Sequence, residues 1–202
     1  MKRVSVLLFV SALAGCAAPI NAHNAQSYAR SASLAAQQGD WDTARRMWAG
    51  AVVNSSLAHA DKRYQAVMNY EYARSLGVTC FYELAQQYFD KAYALDKETN
   101  GPAYMSSFEL ARMYAAKGDD KRAAAYFGRA FEEGQAAGLE KHDPIGFADL
   151  LDDYAKSLGA VGETRAAEDK RHMASAIREA NKTAKTKTDL TPYGTQCVKQ
   201  QA

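Results

Sequence analysis

The sequence predicts an all-α protein built from about four antiparallel helical hairpins. The clearest hairpin lies in residues 104–133, where apolar residues three or four positions apart form one face of each helix. Gly118 and Asp119 lie between the two helices, and these residue types typically end one helix and begin the next. The first helix of this hairpin has three residues that we expect to be buried: Leu110, Ala111 and Tyr114.

The same pattern recurs along the chain. Each unit has two helical segments around a turn, and the turns lie at residues 39–40, 79–81, 118–119 and 162. Three positions are alanine in every unit: Ala32, Ala73, Ala111 and Ala155; Ala44, Ala85, Ala123 and Ala167; Ala51, Ala92, Ala130 and Ala174. The large residue between the last two sets is Trp48, Phe89, Phe127 and Arg171. Twelve matches at a fixed spacing from the turn indicate an internal repeat.

Helix-breaking residues predict where the units end. Residues 54–56 interrupt the pattern after the first unit, residues 99–102 do so after the second, and residues 143–144 precede the fourth. The last helix is predicted from Thr164 to about Lys182. It is polar nearly all round, as expected for a terminal unit that no neighbour covers.

These units resemble the tetratricopeptide repeat (TPR) over residues 28–178. The resemblance rests on the small residue late in the first helix, the Gly-Asp turn, and the alanine, aromatic residue and alanine that follow. The second unit lacks the glycine, and the fourth has Arg171 at the aromatic position. Equivalent alanines are 41, 38 and 44 residues apart, against about 34 in a standard repeat, which points to longer loops or a relation to Sel1-like repeats. The resemblance implies an α-solenoid whose first helices line a concave, peptide-binding face.

The N-terminal residues 1–15 have the features of a cleaved signal peptide. Lys2 and Arg3 precede an apolar run over residues 4–13, which is shorter than the roughly 20 residues that span a bilayer. Residues 16–25 then form the lipidated N-terminus and a short linker to the repeats at 26–180.

The end of this signal, Leu13-Ala14-Gly15-Cys16, resembles a bacterial lipobox. The resemblance implies cleavage before Cys16 and attachment of acyl chains such as palmitate to it. Ala17 is not the aspartate associated with inner-membrane retention. We therefore expect a lipoprotein anchored in the outer membrane and facing the periplasm.

Two further cysteines would then lie in an oxidising compartment, where disulfides persist. We expect Cys80 and Cys197 to be bonded; the alternative is a buried thiol and a thiol on a loose tail. Cys80 stands where the third unit has Gly118, so this substitution should have a structural purpose. Residues 181–202 form a polar tail, which we expect to be loose unless Cys197 holds it.

A row of charges is a candidate binding surface. On the first helices of units two, three and four, an acid lies three residues before a base: Glu71 and Arg74, Glu109 and Arg112, Asp153 and Lys156. They could simply be pairs that stabilise each helix.

By the TPR resemblance these charged residues would instead line the concave face. There Arg74, Arg112 and Lys156 would bind an acidic segment or a chain terminus, while Tyr70 and Phe108 supply apolar contact. We expect Phe108 and Arg112 to be exposed in this groove.

Other function classes have little support in the sequence. Without Lys2 and Arg3 the basic and acidic residues are equal in number, which does not favour a nucleic-acid partner. The four histidines have no metal-ligand spacing, and no catalytic or cofactor motif is present. We predict no enzyme, no metal and no cofactor, but a protein-interaction scaffold in envelope assembly. The alternatives are a periplasmic carrier of a small molecule or glycan fragment, and an envelope enzyme with an unrecognised site.

Overall fold

The computed structural model describes residues 7–186 and 190–197, with side chains from residue 17 onward. These residues form the following helices: α1 (Leu7–Gln37), α2 (Trp41–Leu57), α3 (Lys62–Val78), α4 (Tyr82–Thr99), α5 (Tyr104–Ala116), α6 (Asp120–Ala136), α7 (Leu139–His142), α8 (Pro144–Ala160) and α9 (Thr164–Ala180). No strand occurs in this part of the chain. The predicted all-α class is confirmed.

Consecutive helices pair into four hairpins that stack in chain order. Within hairpins, α1 packs on α2, α3 on α4, α5 on α6 and α8 on α9. Between hairpins, α2 contacts α3, α4 contacts α5, and α6 contacts α8. Each hairpin therefore meets its sequence neighbours, as in an α-solenoid.

The repeated alanines are where the helices approach one another. All twelve have 0% exposed surface. The aromatic position between them is also buried in three units, at Trp48, Phe89 and Phe127. Arg171 at this position in the last unit is exposed, in agreement with the polar outer face predicted for a terminal helix.

The turns within the hairpins share one backbone conformation. Gly39, Gly118 and Gly162 have φ values of 78°, 80° and 87°, and Cys80 has 70° at the equivalent position. This left-handed conformation is easy for glycine and costs roughly 1 kcal/mol or more for residues with a Cβ. The second hairpin therefore tolerates strain at Cys80 that the other three avoid.

One prediction about the first unit is corrected. Residues 54–56 do not interrupt α2, which continues to Leu57. The Asn54 amide donates to the Gly50 carbonyl at 2.8 Å, and the Ser55 hydroxyl donates to the Val52 carbonyl at 2.9 Å, so both side chains bond back to the preceding turn. The chain reverses instead at His59, which has φ 49°.

The predicted linker is helical. Residues 17–25 of this segment continue α1, and Ala25 is buried. This segment is rich in alanine, which has the highest helix propensity. At about 1.5 Å per residue it reaches less than half as far as an extended chain. No helix among the described residues meets the length and hydropathy needed to cross a membrane.

Candidate functional site

The predicted charge pairs form a ladder across the first helices. Arg74 Nη1 lies 3.0 Å from the Glu71 carboxylate, Arg112 Nη1 lies 3.7 Å from Glu109, and Lys156 Nζ lies 2.8 Å from Asp153.

Arg112 Nε also lies 3.7 Å from Asp153, which links α5 to α8. Each base thus has a carboxylate neighbour, and the row is a charge ladder and not an uncompensated basic strip. Whether it binds a partner remains a prediction.

Exposure varies strongly along this ladder. The side chain of Lys156 is 76% exposed, whereas those of Arg74 and Arg112 are 14% and 13% exposed. The prediction that Arg112 is exposed in the groove is therefore wrong, because its guanidinium lies between the Glu109 and Asp153 carboxylates. Phe108, expected to be exposed, is buried because its ring packs against Phe127 at 6.0 Å between centroids. Leu110, Ala111 and Tyr114 are buried, as predicted.

The tail of the chain lies on this face, in a segment that we call the C-terminal strap (residues 190–197). The backbone N–H of Gly194 donates to the Gly77 carbonyl at 3.3 Å. The backbone N–H of Gln196 donates to the Val78 carbonyl at 3.1 Å. Both carbonyls belong to the last turn of α3, where carbonyls lack partners within the helix, and the Gly77 carbonyl also accepts from the Cys80 N–H of the turn. The strap therefore caps the end of α3.

Tyr193 is the anchor of the strap. Its side chain is buried, and its hydroxyl donates to the carboxylate of Glu109. Gly77 leaves room for the ring, because a Cβ at that position would lie 2.6 Å from Tyr193 Cε1. Met113 borders the same space, with its sulfur 3.2 Å from that Cβ position.

Polar contacts on either side of Tyr193 extend the strap across the hairpins. Arg74 Nε donates to the Thr191 hydroxyl at 2.8 Å. Gln196 donates to the Gly39 carbonyl at 2.7 Å and accepts from the Trp41 backbone N–H at 3.3 Å. The strap thus contacts the first turn, α3 and α5, and so joins three hairpins.

A disulfide closes this arrangement. It joins Cys80 and Cys197, whose Cα atoms are 4.9 Å apart and whose positions are 117 residues apart in sequence. This is the pairing that the sequence predicts, and it accounts for a cysteine at a position where the other turns have glycine. The Cys197 end is exposed to solvent.

Buried charge sets the electrostatics of the strap site. Glu109 is only 2% exposed, so its carboxylate needs hydrogen bonds or cations nearby. The pKa values of Tyr193 and Tyr70 are well above the ordinary value. Burial is the larger cause, and the negative charge of the Glu109 carboxylate is the next. Burial alone would lower the pKa of Arg74, but the Glu71 and Glu109 carboxylates outweigh it and raise that pKa. The site therefore holds neutral phenols and a charged guanidinium.

Two clefts adjoin the strap. One, of about 500 Å³, lies between α5, α8 and the strap, and its walls include Arg112, Asp153, Lys156 and Tyr193. Among the described residues, Arg112 Nη1 is buried there without a hydrogen-bond partner.

The other cleft, of about 380 Å³, lies between α3, α5 and the start of α8. It is lined by Tyr70, Arg74, Phe108 and Glu109 among others. Together the two clefts include all five residues predicted to bind a partner. No group of three or more His, Cys, Asp and Glu side chains in the described region is placed to hold a metal ion.

The strap contacts are the part of the site that sequence reasoning missed. Thr191, Tyr193 and Gln196 lie in a stretch expected to be a turn in a polar tail. A glycine at this helix position was not a sufficient signal, because the residues equivalent to Gly77 are Ala36, Ala115 and also Gly159, where a Cβ would meet only Arg171 at 3.6 Å. What distinguishes the second unit in the sequence is this glycine together with a cysteine at the turn.

Comparison with known proteins gives the fold and no family. No family model and no curated protein matches the sequence. Among solved structures, the chain is similar to BtubC (BKLC) from P. vanneervenii, with a TM-score of 0.72 and 19% identity over 82% of this chain and 67% of that one. It is also similar to kinesin light chain TPR-like repeats from Podosopora anserina, with a TM-score of 0.62 and 17% identity over 79% of this chain and 77% of that one. At these identities the similarity shows a TPR-like helical repeat fold.

Proposed function

We propose that the protein is an outer-membrane lipoprotein that acts as an interaction scaffold in envelope assembly. Its concave face would bind an extended segment of a partner protein, and the lipid on Cys16 would hold that face near the membrane. The side chain of Cys16 lies outside the described residues, so the anchor is supported by the lipobox resemblance alone. Several acyl chains on one residue exceed the two signals that stable anchoring needs.

One observation carries the binding proposal. The face formed by the first helices already holds a segment with a turn at residues 193–194, the strap, through backbone hydrogen bonds and one buried side chain. A surface that binds a segment of its own chain in this way has the contacts that peptide recognition requires. Because the stacked hairpins form this surface in advance, a partner would lose little free energy to ordering the receptor.

The cleft beside the strap is the best place for the partner. Lys156 is exposed there, and Arg112 has a buried donor without a hydrogen-bond partner in the described part of the chain. A carboxylate of an acidic segment or chain terminus would supply an acceptor to both cations. Phe127 and Pro192 provide apolar walls.

Crosslinking in intact envelopes, followed by mass spectrometry of captured proteins, tests this function. The native protein should capture a defined partner that is lost with Arg112→Gln and Lys156→Glu together. A matched control is Arg165→Gln with Lys121→Glu, which makes the same charge change at exposed positions on α9 and α6.

The same experiment with Cys16→Ser tests the anchor. This variant should lose membrane association and capture much less partner. Capture that is equal for the cleft variant and the surface control would contradict binding in the cleft.

A further inference from the structure

The strap is bound to the hairpins in the manner of a ligand. None of the four hairpins contains it, and its contacts come from the groove side of α3 and α5 and from the first turn. Two of its backbone N–H groups donate to carbonyls at the end of α3. The Tyr193 side chain enters a notch, which is formed by Gly77, Glu109 and Met113. Main-chain hydrogen bonds and a side chain held in a pocket are also the contacts by which proteins bind short segments of other proteins. The strap makes these contacts with a turn at residues 193–194.

The notch is selective for a tyrosine. Its floor is the buried Glu109 carboxylate, which accepts from the Tyr193 hydroxyl. Phenylalanine would fill the same space but leave that carboxylate without this donor, a loss that buried charged groups make large. Gly77 admits the ring, since any side chain there would overlap it.

The residue after the tyrosine is also restricted. Gly194 has φ 72°, which favours glycine, and a Cβ there would lie 2.8 Å from the Tyr82 hydroxyl oxygen. The site is thus selective at two neighbouring positions, for a tyrosine and then for a glycine. Thr191, two residues before the tyrosine, adds an acceptor for Arg74 at 2.8 Å.

We infer that the strap is an intramolecular ligand, occupying a recognition site for a tyrosine-glycine segment of a partner protein, and that the Cys80–Cys197 disulfide controls access to this site. The inference rests on the proposed function, since the partner would enter the same concave face. It adds the chemistry of the recognised segment and a reason why the site is closed in the oxidised protein.

Opening requires a defined redox step. A dithiol gives two electrons and two protons to the disulfide, which becomes two thiols while the dithiol becomes a disulfide. The exposed Cys197 end is accessible to such a reagent. After reduction only non-covalent contacts hold the strap, and a free segment of the same chemistry competes for the notch.

A labelled peptide tests the inference directly. The peptide has the sequence of residues 190–197 with serine in place of Cys197, and its binding is followed by fluorescence anisotropy. The receptor is the full chain with Tyr193→Ala and Cys197→Ser, which vacates the notch and removes the disulfide. Binding should saturate for this variant and be at least about tenfold weaker for the oxidised native chain, whose strap is tethered at the site.

Matched variants locate the contact. A peptide carrying Tyr193→Phe should bind at least about tenfold more weakly, because one hydrogen bond to a buried charge is lost. Adding Gly77→Ala to the receptor should abolish binding. Adding Gly159→Ala should not, because a Cβ at this equivalent position meets only Arg171, at 3.6 Å.

Three results would overturn the inference: equal affinity for the tyrosine and phenylalanine peptides, equal binding by the oxidised chain, or transfer of straps between copies to give dimers.

A second experiment applies if the receptor variant lacks native helicity. The native chain is then treated with dithiothreitol, and the amide exchange of Gly194 and Gln196 is measured. Acceleration supports the inference, and unchanged protection overturns it.

The proposed function can fail separately. If the peptide does not bind but envelope capture still depends on Arg112 and Lys156, the strap inference fails and the scaffold function stands. If the peptide binds but no envelope partner is captured, the scaffold function fails.

Discussion

The turns of the second and third hairpins have the same backbone but different chemistry. The N–H of Cys80 donates to the Gly77 carbonyl at 3.3 Å, and that of Gly118 donates to the Ala115 carbonyl at 3.0 Å. In the third hairpin the Asp119 side chain then accepts from the Arg122 N–H and caps α6. In the second hairpin Phe81 stands at that position, and α4 has no side-chain cap.

The difference shows what the second hairpin is adapted for. Its turn lacks both the unstrained glycine and the helix cap, each worth about 1 kcal/mol. In their place it has a disulfide to the strap, and Gly77 in α3 opens the notch for Tyr193. The third turn serves its own hairpin, whereas the second also holds a distant segment.

Among the changes that separate the second turn from the third, removing the disulfide should cause the largest loss in the free energy of unfolding. For a loop of more than 100 residues, chain entropy predicts a loss of about 5 kcal/mol in the free energy of unfolding with Cys197→Ser. Urea denaturation of the variant and of the oxidised native chain measures it. A loss below about 1 kcal/mol would show that the covalent link contributes little to stability.

Gly77→Ala should have the next largest effect. The added methyl group overlaps the Tyr193 ring and expels it, so Glu109 also loses its phenol donor, and we expect a loss of about 3 kcal/mol. Gly159→Ala is the matched control and should gain about 0.5 to 1 kcal/mol from helix propensity. Equal changes in the free energy of unfolding for the two variants would contradict the close packing of the Tyr193 ring against Gly77.

Tyr193→Phe removes only the phenol hydroxyl. Loss of a hydrogen bond to a buried carboxylate should cost about 2 kcal/mol. Tyr64→Phe is a suitable control, because its buried hydroxyl has no hydrogen-bond partner among the described residues. Denaturant titration of both variants, with disulfides intact, measures the difference; similar values for the two would contradict the Glu109 contact.

The same contact predicts a dependence on alkaline pH. The raised pKa of Tyr193 in the folded state means that its stabilisation is complete below the unfolded-state pKa of about 10 and is lost as pH rises through the folded pKa. The free energy of unfolding should therefore fall above about pH 10. The fall should be shallower in Tyr193→Phe, although Tyr70 still contributes. Parallel profiles of the two proteins would exclude a contribution from Tyr193.

The smallest effect concerns strain at the turn. With Cys197→Ser in both proteins, Cys80→Gly should be more stable than Cys80→Ser by about 1 kcal/mol, because φ 70° favours glycine. Urea denaturation compares them. If serine is as stable as glycine, the left-handed conformation at position 80 is not a source of strain.

The sequence predicted the repeat well because its signals are local. Alanine spacing and glycine turns reflect helix period and backbone conformation, so the buried faces of all four hairpins followed from them. It predicted the disulfide pair on a different ground, because Cys80 and Cys197 are the two cysteines that remain once Cys16 is taken as the lipid anchor in an oxidising compartment.

The occupancy of the groove could not be predicted in this way. The strap contacts α5 across 84 residues of sequence, and no local pattern marks Tyr193 as buried. Phe108 was misjudged because its position on the first helix suggested the groove, whereas packing against Phe127 places it in the core. Long-range contacts decide which groove residues are covered.

The central claim is that the disulfide holds the strap in the groove, and amide exchange at Gly194 and Gln196 tests it most directly. In the oxidised protein both amides should exchange slowly, because they donate to the Gly77 and Val78 carbonyls. After reduction with dithiothreitol they should exchange much faster, while the amide of Ala123 in α6 stays protected. Fast exchange at both positions in the oxidised protein would contradict the account.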